Sequence, residues 1–184
     1  MRMCIIIPFT LPAKDGREGT SDMTAQTTTP AQREFAAAIG EIAGAIGDRP
    51  LDAALAGWLD ATYPAAGAKF RRIAELIEIG DGEGWICPRE GGGIRWGRVI
   101  KPGAEAGRFS VDVVLMESVR GPHHVHPKGE IGMIMPIVAE PNFDGHPEGW
   151  YVYGAGSAHH PTVTDGSAYV LYLLPDGAIE FTGA

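Results

Sequence analysis

Cysteine is scarce in this chain. Its 184 residues hold two, Cys4 and Cys87, with no Cys-x-x-Cys pair, which excludes a disulfide framework and fits a reduced cytoplasm. Long apolar runs are also missing. None approaches the ~18 residues that a membrane-crossing helix requires. Positive charge is short as well: 15 Lys and Arg stand against 23 Asp and Glu, for a net charge of −8. That balance argues against nucleic acid or an anionic membrane as the partner. From residue 129 to the end there is no Lys or Arg at all. Charged residues are 21% and hydrophobic ones 45% of the chain, too apolar a mixture for overall disorder.

What is abundant is turn-forming residues, 26 Gly and 14 Pro, so many short connections are expected. The basic side chains concentrate in residues 89–128, where 7 face 4 acidic ones. That stretch is either a place for a small anion such as a carboxylate or a solvated basic edge. The apolar start, Cys4 to Phe9, is short and broken by Pro8. Residues 1–22 are therefore read as a disordered extension outside the fold. Thr29-Pro30-Ala31-Gln32 carries a helix-start signature, a cap, a proline at the first helical position and a capping-box partner. Phe35, Ile39, Ile42 and Ile46 then recur at helical spacing. Leu51 to Tyr63 and Ala65 to Ile79 read as a second and third helix, separated by Pro64.

Beyond Gly80-Asp81-Gly82-Glu83-Gly84 the texture changes to short β-rich runs. They lie at Trp85–Cys87, Gly93–Ile100, Phe109–Val119, Glu130–Val138, Trp150–Tyr153, Ala168–Leu174 and Ile179–Phe181. Turn residues punctuate them, as expected of a sandwich or barrel. The layout is α+β by segregation, with a helical segment over 23–82 and a β domain over 83–184.

All six histidines fall between 123 and 160. His124 and His126 are two apart, so on a strand both imidazoles face the same way. Pro127-Lys128-Gly129 supplies a turn, and Glu130 opens the next apolar run, where its carboxylate can join them. His159, after the tight turn Gly154-Ala155-Gly156, is a fourth candidate if its strand lies beside the first. Two or three histidines plus a carboxylate, with positions left open, suit a catalytic divalent metal.

The pattern His124-x-His126-x-x-x-Glu130, followed by Gly154-x-Gly156-x-x-His159, resembles the two metal-binding motifs of the cupin superfamily. That likeness implies N-terminal helices packed on a cupin-type jelly-roll β-barrel, with His124, His126, Glu130 and His159 as metal ligands. A closer resemblance is carried by four stretches: Gly121-Pro-His-His-Val-His-Pro-Lys-Gly-Glu-Ile131, Phe143-Asp-Gly-His146, Gly156-Ser-Ala-His159-His160-Pro-Thr-Val163, and Leu171 through Phe181. They look like the 4-hydroxylaminobenzoate lyase family of bacterial nitroaromatic degradation. The resemblance implies conversion of 4-hydroxylaminobenzoate to protocatechuate (3,4-dihydroxybenzoate) and ammonia; the cytoplasm is the default address, and three imidazoles with a carboxylate suit one divalent ion, Zn, Fe or Mn.

Roles follow from that reading. Glu130 and His123 are the candidates for proton transfer, although His123 points away from His124 along a strand. Arg95 or Arg98 is expected to fork onto the substrate carboxylate. Tyr153, in the aromatic run Trp150-Tyr151-Val152-Tyr153, reads as barrel core or as a surface on which the aromatic substrate stacks. A homo-oligomer is left open. Two other readings stand beside the lyase: another metal-dependent cupin enzyme, a dioxygenase or an isomerase, and a non-enzymatic cupin that binds a small molecule.

Overall fold

Thr29 starts the first helix as its sequence requires. Gln32 N–H donates to Thr29 Oγ1 at 3.2 Å while Thr29 N–H donates to Gln32 Oε1 at 2.7 Å, satisfying two amide donors that a bare helix end would leave unpaired. Helix α1 then runs Pro30–Ile46, followed by α2, Ala53–Thr62, and α3, Ala68–Gly82. Asp52 caps α2 by accepting from Leu55 N–H at 3.0 Å. Phe35, Ile39, Ile42 and Ile46 form the buried stripe of α1, and Phe70, Ile73, Leu76 and Ile77 that of α3. The computed structural model describes residues 28–183. The extension assigned to residues 1–22 lies outside them.

The strand expected at Trp85–Cys87 is a turn instead. Trp85 and Ile86 N–H both donate to Gly80 O, at 3.0 and 3.2 Å, folding the chain back over the end of α3. A Cβ on Gly80 would sit 2.4 Å from the Trp85 ring, so the missing side chain admits the fold-back. The strands begin with β1, Arg89–Gly91, and β2, Ile94–Ile100. Between them Gly92 and Gly93 adopt φ of 61° and 78°, the geometry of a tight two-residue hairpin. Then follow β3, Phe109–Glu117; β4, His124–His126; β5, Glu130–Phe143; β6, Gly149–Tyr153; β7, Ser157–His159; β8, Val163–Pro175; and β9, Glu180–Phe181.

These strands form a jelly roll of two antiparallel sheets, one ordered β1-β2-β3-β8-β5-β6 and the other β7-β4-β9. Both β5 and β8 extend further than their hydrophobic runs. Their pairing slips between Pro136 and Val138 and again between Ala139 and Asn142, and such bulges bend a long ribbon so it can follow a curved sheet.

Pairing register divides the six-stranded sheet into two faces. Val113, Leu171 and Met133 line up across β3, β8 and β5 and join the core that holds the helices. Val114, Val170 and Ile134, one step along, belong to a second core with Phe143, Tyr151 and Tyr172. Strand β8 is thus buried on both sides from Ser167 to Pro175, which is why its sequence reads as a continuous apolar run without alternation. One face of the sheet carries the helices; the other carries the site.

Candidate metal centre

Strand β4 places His124 and His126 on one side, and the antiparallel register sets His159 of β7 directly opposite His124. Gly129, at φ 85°, makes the turn that brings Glu130 back at the start of β5. A side chain there would meet Tyr153 O at 2.7 Å. The result is a group of four donor atoms, one from each of His124, His126, Glu130 and His159, all within 4.8 Å of one another.

The spacings suit donors that share one ion. His159 Nε2 lies 2.8 Å from His124 Nε2 and 3.1 Å from His126 Nε2, and Glu130 Oε2 lies 2.7 Å from His126 Nε2. Donors held ~2.0–2.2 Å from a common ion fall at about this mutual distance. Glu130 is fully buried, and its Oε2 makes no hydrogen bond. A buried carboxylate oxygen left without a proton donor is costly unless a cation satisfies it. Burial, followed by the neighbouring His126 and His159, pushes His124 down to about 3. Its ring is neutral at physiological pH, the state in which imidazole ligates a metal. The residues fit a divalent ion.

Each end of the group is supported from behind. His159 Nδ1 is 2.5 Å from Asp144 Oδ2, so the ring donates there and turns its Nε2 lone pair to the centre. Asp144 is fixed in turn by Thr162 N–H at 2.8 Å. Tyr151 donates to Glu130 Oε1 at 2.5 Å. Burial, with Glu130 beside it, holds the Tyr151 phenol protonated far above the usual range. Neither Asp144 nor Tyr151 stands out as a support in the sequence. The only trace of Asp144 is its place in the turn Asn142-Phe143-Asp144-Gly145, where it takes φ 50°.

The remaining candidates are placed less evenly. Tyr153 stands edge-on to His159, ring centres 5.3 Å apart, with its phenol pushed up by burial and by the charges of Asp144 and Glu130. His123 is not brought into the donor group: its Nδ1 meets Thr182 Oγ1 at 2.7 Å and its ring lies 4.9 Å from His160. Arg95 sits on the helix side of the sheet, in register with Leu115 and Tyr169. It is forked onto Asp81 at 2.9 and 2.5 Å, and Tyr169 donates to the same carboxylate at 2.8 Å. Arg98 lies on the other face, in the row Asp112, Tyr172, Gly132, Tyr151. It donates to Asp112 Oδ1 at 2.8 Å and to Gly177 O at 3.2 Å. No described helix is long and apolar enough to cross a membrane.

Comparison with known proteins shows the family. Residues 37–181 match the family model of 4-hydroxylaminobenzoate lyase. A 4-hydroxylaminobenzoate lyase of Nocardioides sp. (strain LMS-CY) is 34% identical over 134 residues, covering 67% of this chain and 79% of the relative. One from Pseudomonas putida is 31% identical over 153 residues, covering 73% and 86%. Among solved structures, the DMSP lyase DddQ from Ruegeria pomeroyi DSS-3 aligns with 84% of this chain and 98% of its own, at 20% identity and a TM-score of 0.43. An RmlC-like cupin protein from Ralstonia eutropha JMP134 aligns with 50% and 62%, at 10% identity and a TM-score of 0.37. By the family match and the two curated relatives, the chain belongs to the 4-hydroxylaminobenzoate lyase family.

Proposed function

We propose that this protein converts 4-hydroxylaminobenzoate and water to 3,4-dihydroxybenzoate and ammonia. The observation that carries the reading is the four-donor group, three imidazoles and an otherwise unsatisfied buried carboxylate, in a chain of this family. His124, His126, Glu130 and His159 hold one divalent ion, of zinc, iron or manganese. When bound, that ion supplies Lewis acidity to polarise the hydroxylamine oxygen or a water molecule.

The net change requires three events. The N–O bond breaks, water adds at the ring carbon beside the one bearing nitrogen, and the resulting imine is hydrolysed to release ammonia. Cleavage of N–O expels hydroxide, so a proton must be at hand. Tyr153, whose ring packs against His159, carries one on its phenol oxygen. Glu130 has Oε1 taken by Tyr151 and Oε2 turned to the donor group, so it is assigned to the ion rather than to proton transfer, and His123, turned toward Thr182, is assigned no part in the transfer either. Tyr153 also offers its ring as a wall for the aromatic substrate. Both arginines are paired, Arg95 with Asp81 and Arg98 with Asp112, so for the substrate carboxylate it is the face on which Arg98 lies that favours it over Arg95. The cytoplasm is the proposed site of action.

The test is direct. Metal-loaded protein given 4-hydroxylaminobenzoate, without nicotinamide, flavin or dioxygen, releases ammonia and forms 3,4-dihydroxybenzoate in equal amounts. A protein that releases no ammonia but consumes oxygen with a catechol is a dioxygenase, and one whose melting responds to ligand without turnover is a binder. Either result overturns the lyase reading.

A further inference from the structure

The glycine at 132 is out of place in a buried strand. Its neighbours Ile131, Met133, Ile134 and Met135 are large and buried, and glycine inside a strand weakens it. The reason lies across the ladder. Gly132 pairs with Tyr151 of β6, and a Cβ at 132 would fall 1.9 Å from Cε1 and Cζ of the Tyr151 ring and 2.3 Å from its hydroxyl. The ring occupies the volume that any side chain at 132 would fill. It is stacked near-parallel to Phe143 at 5.2 Å, 28° between planes, and to His146 at 5.4 Å, 20°. From there its hydroxyl reaches Glu130 Oε1 at 2.5 Å, two residues along β5 from the glycine. Oε2 of the same carboxylate is the atom that has no hydrogen-bond partner and faces His126.

We propose that Tyr151 is a positioning residue for the metal-binding carboxylate. Its hydroxyl claims Glu130 Oε1 and commits Oε2 alone to the ion, and the bare Gly132 is the berth that lets the ring reach that far. The inference rests on the metal reading above and goes beyond it, since the family's ligand pattern contains neither residue. Without the hydroxyl, Oε1 is a buried acceptor with no donor, and the carboxylate is free to turn both oxygens to the ion. The donor count at the metal is therefore set by a phenol that never touches it.

The experiment uses cobalt(II) as the probe, because its visible absorption reports coordination number. Tyr151→Phe keeps the ring, the stacking and the filled berth, and removes one oxygen. The expected result is about a ten- to hundredfold loss of cobalt affinity in chelator competition, with a changed cobalt spectrum and far-UV circular dichroism like the parent's. Tyr172→Phe, a matched hydroxyl deletion in the same cross-strand row, leaves affinity and spectrum as in the parent. Tyr151→Phe with parental affinity and spectrum overturns the inference while leaving the metal site standing. An equal effect from Tyr172→Phe also overturns it, because burial of any phenol would then account for the change. If the parent takes up no cobalt, the metal reading falls and this inference falls with it.

Discussion

Arg95 and Arg98 are three positions apart on β2, and an odd separation on a strand sends two side chains to opposite faces. One is locked to Asp81 beneath the helices and the other shares a face with the donor group. Their replacements should therefore separate cleanly. Arg98→Ala raises KM for 4-hydroxylaminobenzoate by about tenfold or more, the worth of a lost charge-assisted hydrogen bond, and leaves kcat nearly unchanged if it anchors ground and transition states alike. Arg95→Ala leaves both constants near parental values and lowers the melting temperature, because Asp81 loses its charge partner. Steady-state kinetics with and without the substrate carboxylate check the first expectation, and thermal unfolding the second. An Arg95→Ala variant with the raised KM would reverse the assignment. The sequence names both arginines as anchors because strand alternation says they differ but not which face is the site's. Asp81 decides that, and it comes from the end of α3, a separate element 14 positions earlier in the chain.

At the scale of elements, the central strand β8 separates two cores that do different work. Leu171 is buried on the helix side, in line with Val113 and Met133, and Tyr172 on the site side, in line with Gly132. Leu171→Ala should cost about 2–5 kcal/mol of stability, the usual range for emptying a packed leucine site, while one metal ion per chain is retained. Urea unfolding and metal analysis on the same sample test both halves. The helices were legible in advance because capping residues and a 3.6-residue period are local properties, as Thr29, Gln32 and the Phe35 to Ile46 stripe show. The pair His124 and His126 was legible for the same reason, a period of two. His159 needed topology, since only the pairing of β4 with β7 sets it opposite His124. Asp144, Tyr151 and Gly132 were not legible as parts of the site. Their meaning is a relation across strands that no spacing along the chain encodes. The false strand at Trp85–Cys87 has the converse cause: its apolar residues are buried by a fold-back onto Gly80 rather than by a ladder.

For the whole molecule, an ion held by the donor group links folding to metal binding under the proposed reading. An ion that binds the folded chain alone stabilises it by about 2.7 kcal/mol at a hundredfold excess over Kd. Adding the cognate metal to chelator-treated protein should accordingly raise its melting temperature. His126→Ala should abolish that rise while its metal-free form melts as a folded protein; a rise that persists in the variant would show the ion bound elsewhere. The order of strands in the large sheet has a temporal side. Strand β8, residues 163–175, occupies the position between β3 and β5, yet it leaves the ribosome after both. Until it emerges, the nascent chain can pair β1 with β2 and β3, and β5 with β6, but those two pieces have no common edge. The three histidines and Glu130 have all been synthesised by then, and β4 can already pair with β7, but the large sheet that carries Glu130 is still in two pieces. Such long-range closure is slow to fold and leaves strand edges open meanwhile. The enzyme is thus zipped shut from its middle, by a segment made late, and any chain released before residue 163 has donors but no wall to hold them.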